Sequence, residues 1–132
     1  MVDELIWQSD YDVGIPDIDD QHRMFLRLVG KIRAEKGSGA DNEKMSLLLS
    51  ELLKYAEYHF CSEENLMYGC NYPERAEHSR IHEEIIAELR NRVFAVKFDL
   101  DDYDSLEAFL FNWIVNHILK DDKAFAAYFR NV

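Results

Sequence analysis

The sequence is short of the residues that interrupt helices, and it is short of basic charge. It contains two prolines and five glycines among 132 residues, and no stretch alternates apolar and polar residues as a strand would. Its 15 lysines and arginines stand against 26 acidic residues, which gives a net charge of −11. No basic patch could dominate the electrostatic field of such a chain, so we expect neither a nucleic-acid partner nor a membrane partner.

Cysteines and long hydrophobic runs are also scarce. The only two cysteines are Cys61 and Cys70. On one helix their Cα atoms would be about 13 Å apart, which exceeds the roughly 7 Å that a disulfide can span. No stretch approaches the roughly 20 apolar residues of a membrane helix, and the N-terminus lacks the pattern of a secretory signal. Two free thiols without a signal predict a cytoplasmic protein.

The sequence does contain strong helical periodicity. Apolar residues recur at helical spacing in four segments, and 48% of all residues are hydrophobic, which is enough for one core. We therefore predict a single all-α domain over residues 1–132, folded as an up-down-up-down antiparallel four-helix bundle. The predicted helices cover about 19–36, 41–68, 73–97 and 104–129. Residues 1–18 would form an N-terminal arm that packs against the bundle through Trp7, Tyr11, Val13 and Ile15.

Each predicted helix carries polar residues on the stripe that should be apolar. All five histidines of the chain lie on these stripes. Positions i and i+4 share a helix face, so His59 points with Glu63, and His78 points with His82. At a rise of 1.5 Å per residue, the polar groups of the four helices fall in one layer of the bundle. The members of this layer are His22, His59, Glu63, His78, His82, His117 and one of Asp121 and Asp122.

Two interpretations of this layer differ in what compensates its buried charge. One is a purely structural hydrogen-bond network, and the other is a metal centre. We favour the metal centre, because burying ionised groups without compensation is costly. Imidazole and carboxylate ligands suit Fe, Zn or Mn better than Ca or Mg, and seven ligands are too many for one zinc ion. Two octahedral ions that share both carboxylates and one bridging oxygen would keep one position open for a small ligand.

Four motifs follow one another along the chain. They are Ile18-Asp19-Asp20-Gln21-His22, His59-x3-Glu63, His78-x3-His82 and Trp113-x3-His117-Ile118-x3-Asp122. In order and spacing they resemble the hemerythrins, specifically the single-domain bacterial ones, the bacteriohemerythrins. The resemblance covers nearly the whole chain, from Trp7 past Asp122.

The resemblance implies a non-haem di-iron centre with an oxo or hydroxo bridge. One iron would be held by His78, His82 and His117, the other by His22 and His59, and both would be bridged by Glu63 and Asp122. Residue counting on a regular helix favours Asp121, four positions after His117, whereas the family pattern favours Asp122, which we adopt. By the same resemblance, the ligand pocket would be lined by Phe60, Trp113, Ile114 and Ile118.

The implied function is reversible O2 binding for transport, storage or scavenging, with O2 bound end-on as a hydroperoxide at the two-histidine iron. An enzyme that reduces peroxide or nitric oxide is the alternative, but it would need protons at the open position, and the sequence places no acid–base residue there beyond the ligands. An O2-sensing module would carry a signalling domain, for which 132 residues leave no room. A further alternative, an iron-storage protein, would bind its metal in a labile form. We expect an O2-binding monomer and at most a minor peroxidase or nitric-oxide activity.

Overall fold

The computed structural model describes residues 6–131, and over that range the chain is almost entirely helical. A short 3-10 turn, Ser9–Tyr11, precedes helices α1, α2, α3 and α4, a π-helical turn and a last helix, α5. Helices α1 to α4 run up and down as an antiparallel bundle in which α1 also contacts α4. No strand is present in the described part of the chain, so the predicted four-helix bundle is confirmed. The bounds are Pro16–Gly37, Asn42–Gly69, Arg75–Lys97, Tyr103–His117, Ile118–Asp122 for the π-helical turn, and Lys123–Arg130.

Local sequence signals place the helix ends. Helix α1 begins at Pro16, earlier than the predicted start near residue 19, because proline at the first helical position needs no hydrogen-bond acceptor for its nitrogen. Asp41 and Asp102 cap α2 and α4, and each carboxylate accepts a backbone N–H three residues ahead at 2.8 Å. The turn after α2 ends with Asn71 at a φ of +54°, which delays the start of α3 to Arg75.

The fourth predicted helix, 104–129, is where the structure differs most from a regular helix. The chain stays helical from Tyr103 to Arg130, but residues 118–122 form a π-helical turn. Such a turn adds one residue to the spacing of the backbone hydrogen bonds and thereby rotates all later side chains relative to the earlier ones. This rotation changes the directions in which the side chains of Asp121 and Asp122 point relative to His117.

The N-terminal arm is held by hydrogen bonds to the first and the last helix of the bundle, α1 and α5. The backbone N–H groups of Val13 and Gly14 donate to the buried carboxylate of Asp19 at 2.8 and 3.1 Å. Arg130 of α5 donates to the carbonyl oxygen of Val13. Gly14 has a φ of +94°, a conformation that residues with a side chain rarely adopt, so the arm favours glycine at this position. Residues 1–5 of the predicted arm lie outside the described residues.

The arm packs as predicted through aromatic and aliphatic side chains. Tyr11, Val13 and Ile15 are buried, and Trp7 is half-buried against the core. The guanidinium of Arg23 lies 5.0 Å from the centre of the Trp7 ring, which is within cation–π range.

The bundle core has an apolar part and a polar layer. At the end near the α1–α2 and α3–α4 turns, the core consists mainly of aliphatic side chains together with Tyr103, and the charged Glu107 there is 1% exposed. Glu107 accepts two hydrogen bonds from the Arg33 guanidinium, at 2.7 and 2.8 Å. Within the described residues, no helix is sufficiently long and apolar to cross a membrane.

Candidate metal centre

The structure brings together all seven residues predicted to be metal ligands. Their ligand atoms form two groups, and within each group the atoms lie within 4.8 Å of one another. Every one of the seven residues is buried, with an exposed fraction of 3% or less. Glu63 and Asp122 belong to both groups, which are Glu63, His78, His82, His117 and Asp122, and His22, His59, Glu63 and Asp122.

The three-histidine group converges on one point through its Nε2 atoms. The Nε2 atoms of His82 and His117 lie 3.1 Å apart. Glu63 Oε1 lies 2.8 Å from His78 Nε2 and 3.1 Å from His82 Nε2. Asp122 Oδ1 lies 3.1 Å from His78 Nε2 and 3.0 Å from His117 Nε2. Helices α2, α3 and α4 thus each contribute to this group.

The two-histidine group lies on the other side of the same carboxylates. The Nε2 atoms of His22 and His59 are 3.0 Å apart. Asp122 Oδ2 lies 3.1 Å from His22 Nε2, whereas its Oδ1 faces the three-histidine group. The two oxygens of Asp122 therefore face different groups, as they would in a carboxylate that bridges two ions.

The π-helical turn gives Asp121 and Asp122 separate roles. On a regular helix the residue five positions after His117 is rotated by about 140° from it. In the structure the π-helical turn brings Asp122 to the buried side, next to His117 Nε2. Asp121 instead accepts a hydrogen bond at 3.0 Å from the other ring nitrogen, His117 Nδ1. Both aspartates therefore contact His117, one on each side of its ring.

The unpaired atoms of the layer show that its residues fit metal ions. Among the described residues, the carboxylate oxygens of Glu63 and Asp122 and the Nε2 of His78 are fully buried, yet none of them makes a well-aligned hydrogen bond. Buried polar groups of a structural network are nearly always hydrogen-bonded. Here the atoms instead approach one another at about 3.0 Å, which is the separation of neighbouring ligands at right angles around an ion with bonds of about 2.1 Å.

The electrostatics of the layer are those of ionised carboxylates among imidazoles. Burial raises the pKa values of Glu63 and Asp122, and the charge of Asp122 raises that of Glu63 further, but the neighbouring histidines outweigh this and lower both pKa values below their usual range. Burial lowers the pKa of His78, yet contacts with the two carboxylates raise it overall to about 9. Burial also lowers the pKa of His117, but Asp122 and Asp121 raise it overall to about 10. Without metal, the layer is thus held together by cationic histidines and anionic carboxylates.

His59 differs from these histidines. Its pKa is lowered to about 3, first by burial and then by the neighbouring His22. It therefore stays neutral at every pH near 7, with one ring nitrogen free to accept or to bind an ion.

These shifts predict a pH dependence for the metal-free protein. His78 and His117 have raised folded-state pKa values, so the stability they contribute is complete below their unfolded pKa of about 6.5 and is lost as the pH rises through 9 to 10. His59 has a lowered pKa, so it destabilises the fold as the pH falls below about 6.5. We expect the unfolding free energy of chelator-treated protein to fall from pH 7 to pH 10, on the order of 1 kcal/mol per pH unit for each raised histidine.

Urea denaturation at several pH values measures this dependence, with metal-bound protein as the control. Because metal ions need neutral imidazoles, the metal-bound form should lack this alkaline loss and should be destabilised by acid instead. An unfolding free energy of the metal-free protein that stays constant from pH 7 to pH 10 would contradict the prediction.

All four residues predicted to line the pocket are buried. Each of them also lies close to a histidine of the layer, either in the sequence or in space. The Phe60 ring stacks on His82 with centroids 4.0 Å apart. Trp113 lies edge-on to Phe60 at 5.3 Å and 6.3 Å from His117. Ile114 and Ile118 are 2% and 1% exposed on either side of His117 in the sequence.

Two residues in contact with the layer were missed by sequence reasoning. Gln21 Oε1 lies 2.7 Å from His59 Nδ1, and Glu64 Oε2 lies 2.8 Å from His82 Nδ1. Each follows or precedes a predicted ligand in the sequence, so neither falls on the inward stripe from which candidates were chosen. The sequence signals were that both are polar neighbours of predicted ligands, His22 and Glu63, and that Gln21 lies within the first motif.

Comparison with known proteins gives consistent matches. The family model described as "Hemerythrin HHE cation binding domain" matches residues 13–129. A bacteriohemerythrin of Stenotrophomonas maltophilia is 33% identical over 92% of this chain and 79% of its own. A myohemerythrin of Riftia pachyptila is 28% identical over 86% and 83%. A crystal structure of wild-type hemerythrin superposes with a TM-score of 0.83 at 24% identity, covering 94% of this chain and 96% of its own, and supports the fold.

Proposed function

Because this chain belongs to the hemerythrin family, as its motifs predicted, we propose that it binds O2 reversibly at a pair of iron ions in the bundle core. The observation that carries this proposal is the inequality of the two ligand groups. Both share Glu63 and Asp122, but one has three histidines and the other has two. With octahedral ions and an oxo or hydroxo bridge, only the two-histidine position keeps room for O2.

We propose the ligands as the sequence predicted them. His78, His82 and His117 would hold one ion and His22 and His59 the other, with Glu63 and Asp122 bridging. A pair of iron ions supplies, when bound, the two electrons that O2 takes up on binding and returns on release. The chain itself supplies five imidazoles and two carboxylates, and the negative charges of the two carboxylates offset part of the charge of the ions.

The protein's further contribution is to keep water out of the site. Reversible binding of O2 needs a dry pocket, since water and protons would turn bound O2 into released peroxide. Phe60, Trp113, Ile114 and Ile118 are each at most 6% exposed, and Phe60 covers one face of His82. These side chains supply the apolar wall that the proposal requires.

The residues around the two-histidine side favour binding over reduction. Reduction of peroxide or nitric oxide consumes protons, so an enzyme would need a donor beside the open position. Within the described residues, the side chains that hydrogen bonds link to His59 are Gln21 and, through it, Ser62, which do not titrate, and the Tyr55 hydroxyl, which donates to the backbone carbonyl of Gln21. Burial raises the pKa of Tyr55 to about 12. We therefore propose an O2-binding protein rather than an enzyme, acting as a monomer in the cytoplasm.

An anaerobic O2 titration tests the proposal, with the variant His59→Ala beside it. We expect reduced, iron-loaded protein to develop a visible absorption band with O2 and to lose it when O2 is removed. His59→Ala should bind less iron and show no such band, because one of only two histidines at that position is gone. Irreversible oxidation of the wild type, or unchanged iron content and O2 binding in His59→Ala, would contradict the proposal.

A substitution at an exposed residue of the same helix provides the matched control. Tyr58, which is 59% exposed on the same helix, can be replaced by alanine without touching the layer. Tyr58→Ala should keep the iron content and the O2-dependent band of the wild type.

A further inference from the structure

The outer ring nitrogens of the layer's histidines have different partners on its two sides. On the three-histidine side, two of the three histidines, His82 and His117, have a carboxylate partner there. Glu64 Oε2 lies 2.8 Å from His82 Nδ1, and Asp121 Oδ2 lies 3.0 Å from His117 Nδ1. Glu64 is itself fixed by the Ser79 hydroxyl, which donates to its other oxygen at 2.8 Å.

On the two-histidine side, no carboxylate of residues 6–131 reaches an outer ring nitrogen. His59 Nδ1 lies 2.7 Å from the side-chain oxygen of Gln21, which is an uncharged amide. The amide nitrogen of Gln21 donates to the Ser62 hydroxyl at 3.0 Å, and its backbone carbonyl accepts from Tyr55, so this residue is held from three directions. The Nδ1 of His22 is buried and has no hydrogen-bond partner within residues 6–131.

Ring chemistry makes these partners important for metal binding. A neutral imidazole has one N–H, and an Nε2 that binds an ion must carry a lone pair, so the proton has to reside on Nδ1. An acceptor at Nδ1 selects that form and fixes the ring. A carboxylate acceptor also makes the imidazole a stronger donor to the ion than an uncharged amide does.

We propose that these outer partners make the two metal positions unequal: Glu64 and Asp121 strengthen the three-histidine position, and the uncharged Gln21 keeps the two-histidine position the weaker one. Gln21, Glu64 and Asp121 are thus positioning residues that act through His59, His82 and His117. The inference rests on the proposed pair of metal ions. A weaker imidazole donor at the two-histidine position makes its ion harder to oxidise and easier to lose.

Metal binding by the apo protein tests this without O2. The probe is Co²⁺ alone, added anaerobically to chelator-treated protein and followed by calorimetry and by its visible absorption. Wild-type protein should bind two ions in two resolved steps, the tighter one at the three-histidine position. Glu64→Gln combined with Asp121→Asn should weaken the first step by about 10–100-fold, the usual effect of removing such partners.

Substitutions of Gln21 should act on the second step only. Gln21→Met removes the acceptor and should weaken that step by about tenfold or more. Gln21→Glu has the same shape and adds the carboxylate found on the other side, so it should tighten the second step and bring the two steps together. The opposite directions of these two variants separate an electronic role of Gln21 from a role in folding alone.

Neighbouring acidic residues provide the matched controls. Glu83 lines the same surface groove as Glu64, and Asp20 precedes Gln21, but both are exposed and neither contacts a histidine of the layer. Glu83→Gln and Asp20→Asn should bind Co²⁺ as the wild type does. Circular dichroism of each metal-free variant checks that the bundle is folded.

The outcomes distinguish this inference from the proposed function. Two ions bound by every variant with wild-type affinities would overturn the inference and leave the di-metal centre standing. A wild type that binds fewer than two ions per chain would overturn the proposed function, and the inference with it.

Discussion

Replacement of Asp122 by alanine is expected to abolish the binding of two metal ions and, with it, any O2-dependent absorption. Asp122 Oδ1 contacts the three-histidine group and Oδ2 the two-histidine group, so one substitution removes a ligand from both positions. The neighbouring Asp121 cannot take its place, because it is bound to His117 Nδ1 on the far side of the ring. Metal analysis and the visible spectrum of the reduced protein under O2 measure the effect.

Asp121→Ala is the matched control for this prediction. It removes the adjacent carboxylate of the same π-helical turn but leaves the seven converging side chains in place. At saturating metal, Asp121→Ala should still bind two ions, although more weakly at the three-histidine position. If Asp122→Ala bound two ions and Asp121→Ala did not, the assignment of the two aspartates would be reversed.

Replacement of Arg33 by methionine is expected to produce a large loss of stability at a position away from the metal centre. Arg33 donates two hydrogen bonds to Glu107, whose carboxylate is 1% exposed between α1 and α4. Removing one member of a buried pair leaves the other charge uncompensated, which typically costs about 3–5 kcal/mol. Because the Arg33 side chain is 30% exposed, we expect the lower end of that range. Urea denaturation measures the change.

Arg90→Met provides the comparison with an exposed ion pair. Arg90 also joins two helices, through Glu57 at 2.9 Å, but its side chain is 56% exposed and that of Glu57 is 41% exposed. Water screens such a pair, so we expect a loss of about 1 kcal/mol or less. Metal content should be unchanged in both variants. Equal losses of stability in Arg33→Met and Arg90→Met would contradict the distinction.

The helical architecture was predictable because it depends on a repeated pattern. The apolar stripes of four segments indicated the four helices, and the caps Asp41 and Asp102 lie next to the predicted starts. The converging histidines were predictable for the same reason: each lies on an inward stripe, and a four-helix bundle has one interior. These parts of the structure follow from helical spacing, which the sequence carries many times over.

The parts that were not predictable depend on single contacts or on one irregular turn. Residue counting favours Asp121 over Asp122 because it assumes a regular α-helix, whereas residues 118–122 form a π-helical turn. Likewise, the contacts of Gln21 with His59 and of Glu64 with His82 follow from side-chain conformations between helices, which no periodic pattern encodes.

The π-helical turn has a consequence for protein design. Scaffolds built from ideal helices are the easiest to fold, and a designer could readily copy the i, i+4 pairs of α2 and α3 onto them. The copy would fail at the fourth helix, because His117 and Asp122 share a face only across the irregular turn. A design that reproduces this centre must therefore include the π-helical turn as well as the seven side chains. If the turn were replaced by a regular α-helical turn, Asp121 and Asp122 could not both contact His117 as they do here.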